Sequence, residues 1–357
     1  MIGMERNYSI DTIKCFAIFS VVILHTVTGG YLGFLVTTLS KFAVPFFFMA
    51  SGFLLGEKIR LSKNQFHTLF SYIKKISKIY LKWFLFYFLL DLSIMVAYHF
   101  VKDSSPVPEM IKYVKKLSLL NVFYYGDATS GYQLWFLPSL IISIILVYFS
   151  HKYNMSIAIL IFSLVLNIIG LFGQSYSFLI DLNINTRDPL FFGLFYTCLG
   201  FFFSCKHNLF IKKYSRGNLY LFLVVIFALL QVMERYILTK VYSGQYGDYF
   251  ISTIFLSFFL FLFVVNNTQL GKYSFFVKIG RNSLGIYVIH IAFIKIINTA
   301  LAVIEINIFT NALTEIIYAF FIFTISYLFY NLLQKSKLKL LNKINQLQSF
   351  SVKHLKL

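Results

Sequence analysis

Within an otherwise apolar stretch, Ser9 to Gly29, stand Asp11, Lys14 and His25, ionisable residues of the kinds that move protons and bind anions. In a helix rising about 1.5 Å per residue, His25 lies about 21 Å along the axis from Asp11, and fourteen steps of about 100° end about 40° short of whole turns. The three side chains therefore share a face. A charge inside a membrane span costs at least about 2.5 kcal/mol on insertion scales, so such residues turn toward a bundle interior and mark a functional path. An imidazole, with an ordinary pKa of about 6.5, can take and return a proton near neutral pH. The stripe thus predicts a polar route from one membrane surface to a reactive imidazole deep in the bundle.

Other candidates are scattered along the chain. Lys75 and Lys78 are three apart and share a helix face; they can hold phosphates as paired point charges, or serve only as the positive charge that cytoplasmic loops carry. Asp91 lies about 20 Å beyond Lys78 along a helix, where a carboxylate needs a donor such as His25 or Lys295 to stay charged. A purely structural Asp91–Lys295 pair meets the same demand. Trp135, in the run LWFLP, is an interfacial anchor or part of a binding surface. Arg187, flanked by Asp181 and Asp188, can hydrogen-bond a hydroxyl or a carboxylate, or sit solvated in its loop. Glu234 and Arg235 offer either an acceptor contact or an interfacial pair. Tyr287 and His290 share a face near the inner side, for packing or for lining a donor channel.

These residues need elements to position them, and composition says which. At 59% hydrophobic and 13% charged, the chain departs from soluble domains, which average about 25% charged. Apolar stretches near 9–29, 39–55, 79–101, 134–149, 155–172, 190–204, 219–238, 249–265, 284–304 and 312–333 are of the length that crosses a bilayer. The first is preceded by Glu5 and Arg6, and no small-residue cleavage site follows it, so it reads as a retained helix. With the N-terminus inside, 21 of the 32 Lys and Arg residues fall on the cytoplasmic side and six on the outer side. This places the loops of Lys75 and Lys213 inside and those of Lys115 and Arg187 outside. The expectation is an all-α, polytopic integral membrane bundle of about ten transmembrane helices with both termini cytoplasmic. Residues 1–333 form a single membrane domain, and 334–357 a basic cytoplasmic tail whose mixed Lys and Leu pattern suits anionic lipid. The net charge of +19 is spread over loops, which points to membrane lipids and an anionic cytosolic ligand and away from nucleic acid. Cys15, Cys198 and Cys205 read as buried thiols without a disulfide or metal role.

Within this frame, Pro45 suggests a bend in the second span, and Ser51 with Gly52 a close helix approach. The stretch from Gly56 to Lys78 is expected as a loop, and the long outer loop, Lys102 to Gln133, as a shape-giving cover for an acceptor site.

In their order the separate motifs resemble the membrane acyltransferase 3 family. The resemblance is carried by Arg6, Asp11, Lys14 and His25, by PFFFMASGFLL from Pro45 to Leu55, by the basic pair Lys75 and Lys78, by Leu134 to Leu137, and by Ser283 to His290. It covers essentially the whole chain. It implies transfer of an acyl group, usually acetyl from acetyl-CoA, to a hydroxyl of a cell-surface carbohydrate or its lipid-linked precursor at a bacterial plasma membrane. Family members often have Arg where this chain has Lys14, Lys75 and Lys78, and Lys lacks the bidentate fork of Arg.

On that resemblance His25 is the expected general base, with Asp11 and Asp91 as catalytic partners. Lys14, Lys75, Lys78, Tyr287 and His290 are expected at the donor, and Trp135, Arg187 and Glu234 at the acceptor. Acyl-CoA is a donor substrate, no cofactor is permanently bound, and no metal is expected. Succinyl transfer, a transporter or flippase for a glycan intermediate, and a non-enzymatic scaffold are the rival readings. A carrier explains the intramembrane charges equally well, whereas a scaffold leaves Asp11 and His25 without a reason for their cost.

Overall fold

The computed structural model describes residues 6–180, 182–205, 217–242, 247–306 and 308–354, with side chains through residue 339. Asp181 and the loop carrying Lys213 lie outside these residues. All regular structure among the described residues is helical.

The first helix, α1 (Tyr8–Thr26), starts where the Asn7 side chain accepts a hydrogen bond from the Ile10 amide at 3.1 Å, satisfying one of the amides a helix start leaves open. It ends just before Gly29 and Gly30, the latter at φ +72°, a left-handed conformation that glycine adopts without a Cβ penalty. A short helix, α2 (Gly30–Leu39), leads through a 3-10 turn at Ser40–Phe42 into α3 (Ala43–Leu61). Pro45 is the third residue of α3, where a missing backbone N–H leaves no helical bond unmade.

Next come α4 (Gln65–Val101), α5 (Val107–Lys115), α6 (Phe136–Lys152), α7 (Ser156–Phe172) and α8 (Leu194–Cys205). The chain continues through α9 (Gly217–Tyr236), α10 (Ile251–Asn266), α11 (Phe275–Arg281), α12 (Ser283–Val303) and α13 (Ala312–His354). The stretch expected as a loop before the third span is mostly helix: α3 runs to Leu61, and α4 begins at Gln65 under an Asn64 cap whose side chain accepts from the His67 amide at 2.9 Å. The last helix, α13, runs from Ala312 to His354.

Each apolar stretch read from the sequence is helical. Among the described residues, seven helices are long and apolar enough, by length and composition, to cross a membrane. Three further apolar helices, Ser156–Phe172, Pro189–Cys205 and Ile251–Asn266, are shorter. Exposed apolar side chains such as Leu85, Leu89, Ile161, Leu229 and Met233 cover the outward faces of α4, α7 and α9, as a lipid-facing bundle requires.

The core lies around α1, which packs on α3, α11, α12 and α13. The close approach expected at Gly52 is real. A Cβ there would collide with the Thr197 carbonyl, and one at Gly200 with that of Met49, so α3 and α8 meet almost backbone to backbone. Cys15 and Cys198 are buried, but Cys205 is exposed at the end of α8, where the apolar run stops.

Candidate active site

Two cavities reach into the bundle from opposite ends of α1. The first, about 180 Å³, is ringed by Lys14 of α1, Lys58 of α3 and Lys75 of α4, and runs inward past Ser51 and Tyr72 to Tyr287. Three helices thus bring three ammonium groups to one opening, a geometry suited to a polyanionic ligand end. Lys78 does not line it; it lies exposed on α4, and Lys58 supplies the further charge. Asp11 stays at this end of α1, where Arg6 donates to its Oδ2 at 2.5 and 3.1 Å and Arg281 approaches to 4.0 Å. Asp11 and His25 therefore share a helix face without sharing a cavity.

The second cavity, about 150 Å³, contains His25 together with Lys41, Tyr132, Trp135, Arg187 and Asp248. His25 Nδ1 lies 3.2 Å from the Tyr132 hydroxyl. Its ring also packs against that of His290, centroid to centroid at 5.4 Å. His290 is fully buried, and its Nδ1 faces the Ile286 carbonyl at 3.2 Å. A carbonyl only accepts, so Nδ1 carries the proton and Nε2 is the acceptor nitrogen; Nε2 has no hydrogen-bond partner among the described residues. His290 thus lies beside the His25 imidazole and away from the lysine opening.

Tyr287 lines both cavities. Its hydroxyl donates to the Gln133 carbonyl, and Gln133 Nε2 donates to Tyr87 Oη at 2.8 Å. Tyr87 in turn donates to the Val288 carbonyl at 2.8 Å and accepts from the Ala292 amide at 3.1 Å. All these groups are buried, where an unmade hydrogen bond is costly, so the network fixes the segment 131–135 against α12 and with it Tyr132 and Trp135.

Asp91 anchors the same segment from behind. It accepts from the Tyr113 hydroxyl at 2.6 Å and the Ser130 amide at 2.9 Å, and is paired with Lys295. Its place is with Lys295, outside the lining of the His25 cavity, so it positions the loop and does not face the imidazole. Glu234 is also placed structurally: it accepts from the Tyr176 hydroxyl at 2.6 Å and from the Ile251 and Ser252 amides at 2.8 and 2.9 Å, capping the start of α10. Arg235 Nη1 donates to the Phe34 carbonyl and to Thr37 and Thr38 at 2.6–2.9 Å, tying α9 to α2.

Opposite His25, Asp248 joins two cations. Lys41 Nζ meets Oδ1 at 3.1 Å and Arg187 Nη1 meets Oδ2 at 3.1 Å, while Arg187 lies over the Trp135 ring at 5.4 Å. Burial alone would raise the Asp248 carboxyl, but Lys41 and Arg187 override it and hold the group well below the usual carboxylate range. Lys41 and Asp248 were not among the sequence candidates. Lys41 signalled itself only as a charge in an apolar span, and nothing local relates it to a partner 207 positions away.

Residues 7–331 match the family described as an acyltransferase domain, and the chain belongs to that membrane acyltransferase family. Two curated relatives from Enterococcus faecalis, each named amino-acid racemase, are 29% identical over 286 residues and 30% identical over 232 residues. Those matches take in 73% and 58% of this chain but only 38% and 30% of the relatives. The chain thus spans well under half the length of the proteins that carry the racemase name. No solved structure matches.

Proposed function

We propose that this membrane acyltransferase moves an acyl group, most simply acetyl, from cytosolic acyl-CoA to a hydroxyl of a cell-surface polysaccharide or its lipid-linked precursor. The observation that carries the reading is the meeting of the two cavities at Tyr287, one opening among lysines and the other holding His25. In this reading the first opens to the cytoplasm of a bacterial cell, and the second to the outside. Lys14, Lys58 and Lys75 hold the phosphates of the donor, and the thioester arm extends past Tyr287. His25 takes the proton from the acceptor hydroxyl as its oxygen bonds to the thioester carbonyl carbon; the carbon–sulfur bond breaks, and the proton passes to the departing thiolate. The products are an ester and free CoA, so atoms and charge balance without a cofactor. Tyr132 and His290 hold the imidazole between them.

The racemase name of the relatives belongs to proteins more than twice as long, and residues 7–331 of this chain are acyltransferase domain. Racemisation is therefore not part of the proposal. The decisive experiment measures CoA release by the purified protein given acetyl-CoA or succinyl-CoA, with and without glycan. Release that requires acceptor supports the proposal and ranks the acyl groups. No release, with glycan crossing the bilayer of proteoliposomes, would replace it with a carrier.

A further inference from the structure

A third cavity, about 600 Å³, lies among the end of α1, the start of α2 and the end of α9. Its volume is four times the 150 Å³ or so of the His25 cavity. Leu24 lines both, so the two spaces meet at one side chain, the neighbour of His25 in sequence. Packed proteins leave few voids, and this one is held open by polar bracing. Arg235 Nη1 donates to the Phe34 carbonyl and to the Thr37 and Thr38 hydroxyls at 2.6–2.9 Å, and Gln231 Nε2 donates to the Thr38 carbonyl at 3.1 Å. These contacts fix α9 to α2. Glu315 of α13 accepts from the Thr28 hydroxyl at 2.7 Å and the Thr28 amide at 2.8 Å, which fixes the link between α1 and α2.

Ligand sites commonly measure about 300–1,000 Å³. The His25 cavity falls below that range and the third cavity within it, so the first houses a reacting group and not a whole oligosaccharide. Tyr31 of α2 and Tyr236, the last residue of α9, line the larger space and are 96% and 55% exposed. Tyrosine offers rigid, amphipathic contact area at low entropy cost, which suits a sugar ring with its C–H faces and hydroxyl rim. Lys240, from the turn after α9, adds an ammonium group. An ammonium and two phenol hydroxyls are groups that lipid chains leave unsatisfied, which favours a glycan over hydrocarbon as the occupant. We infer that the third cavity is an extended subsite for the acceptor glycan: the sugar to be acylated reaches His25, while its neighbours in the glycan pass Leu24 and lie against Tyr31 and Tyr236. The inference rests on the acyltransferase reading for the word acceptor, but the glycan site itself does not. It makes the protein a reader of several sugars at once, with the monosaccharide a poor ligand.

The test is direct binding to the purified full chain, in nanodiscs and without acyl-CoA. The probes are fragments of the host cell's own surface polysaccharide, freed of esters by mild base, partly hydrolysed and sorted into one, two and four sugars. The expected result is that the longer fragments bind about ten-fold or more tightly than the single sugar. Tyr31→Ala and Tyr236→Ala should each cost the longer fragments several-fold in affinity and the single sugar far less. Both residues are exposed, so Tm should hold. Leu24→Trp fills the meeting point of the two cavities and should bring the longer fragments down to the affinity of the single sugar. Equal affinity at all lengths, a length gain that survives in both tyrosine variants, or no binding of any fragment at millimolar concentration would overturn the inference; a groove filled by lipid chains gives one of these results. Length-dependent binding that the tyrosine variants abolish, without glycan-dependent CoA release, supports the glycan site and overturns the acyltransferase reading instead.

Discussion

The Nδ1 of His25 and the hydroxyl of Tyr132 lie 3.2 Å apart although 107 positions separate them in the chain. The imidazole on the central helix is therefore oriented by a loop residue, and that loop is held in place by Asp91 and Tyr87. Orientation of a proton-transfer group depends on such partners as much as on its own backbone.

His25→Ala and His25→Gln should each lower acyl transfer by about 10² to 10⁴-fold, the range for loss of a positioned general base, while acyl-CoA binding persists. Glutamine keeps a hydrogen bond to Tyr132 but cannot accept a proton. Turnover and donor binding measured on both variants check this, and a well-folded, active His25→Gln enzyme would end the assignment. Tyr132→Phe should retain folding and lose about 1 kcal/mol of orientation, read as a several-fold fall in kcat at unchanged donor KM.

The lysine opening makes a prediction that neighbouring residues can separate. Lys58→Ala and Lys75→Ala should each raise KM for acyl-CoA, and added salt should mimic both. Lys78→Ala should leave KM unchanged, because Lys78 lies outside the cavity lining. Equal effects at 75 and 78 would mean that general surface charge, and not the opening, attracts the donor.

Asp91→Asn should cost up to about 3–5 kcal/mol, since it strips the partner from a largely buried cation. The effect should appear as a lower Tm in detergent and as proteolysis within residues 102–133. Asp91→Asn combined with Lys295→Met should recover much of the loss. An Asp91→Asn protein of normal stability that has lost only turnover would return Asp91 to the chemistry.

Acid stability should report on Asp248. Its folded pKa is depressed by Lys41 and Arg187, while an unfolded Asp has a value of about 3.9. Its contribution is therefore complete above about pH 4 and is lost as pH falls through the lower folded value. Tm scans from pH 7 to pH 2 should show wild type and Asp248→Asn running parallel above about pH 4 and converging below it. Parallel curves throughout would mean that the triad adds nothing to stability.

How far the sequence could be read follows from which relations are periodic. Apolar runs alone located the helices, because a membrane span is a local property of about 20 residues. His25, Lys14, Lys75 and Tyr287 were found because each is polar within, or placed next to, such a run. Lys58 was passed over for Lys78, since i to i+3 spacing is visible in a sequence and the convergence of α1, α3 and α4 is not. The same limit hid Asp248, which lies in a short polar connection and gains its meaning only from Lys41 and Arg187. Glu234 and Arg235 looked like a pair because they are adjacent, but successive helix residues point about 100° apart, and each found a different helix.

Tyr287 has one more consequence. The cavities hollow the bundle from both ends of α1 and leave the layer around Tyr287 and Gln133 between them. In a membrane, voltage falls across whatever is not water-filled, so a thin partition gathers most of the transmembrane potential into a short distance. A charge crossing the full field is worth about 2.3 kcal/mol per 100 mV. In the proposed reaction the proton taken up by His25 sits at the edge of that focused field, so the membrane potential would drive or oppose the transfer step.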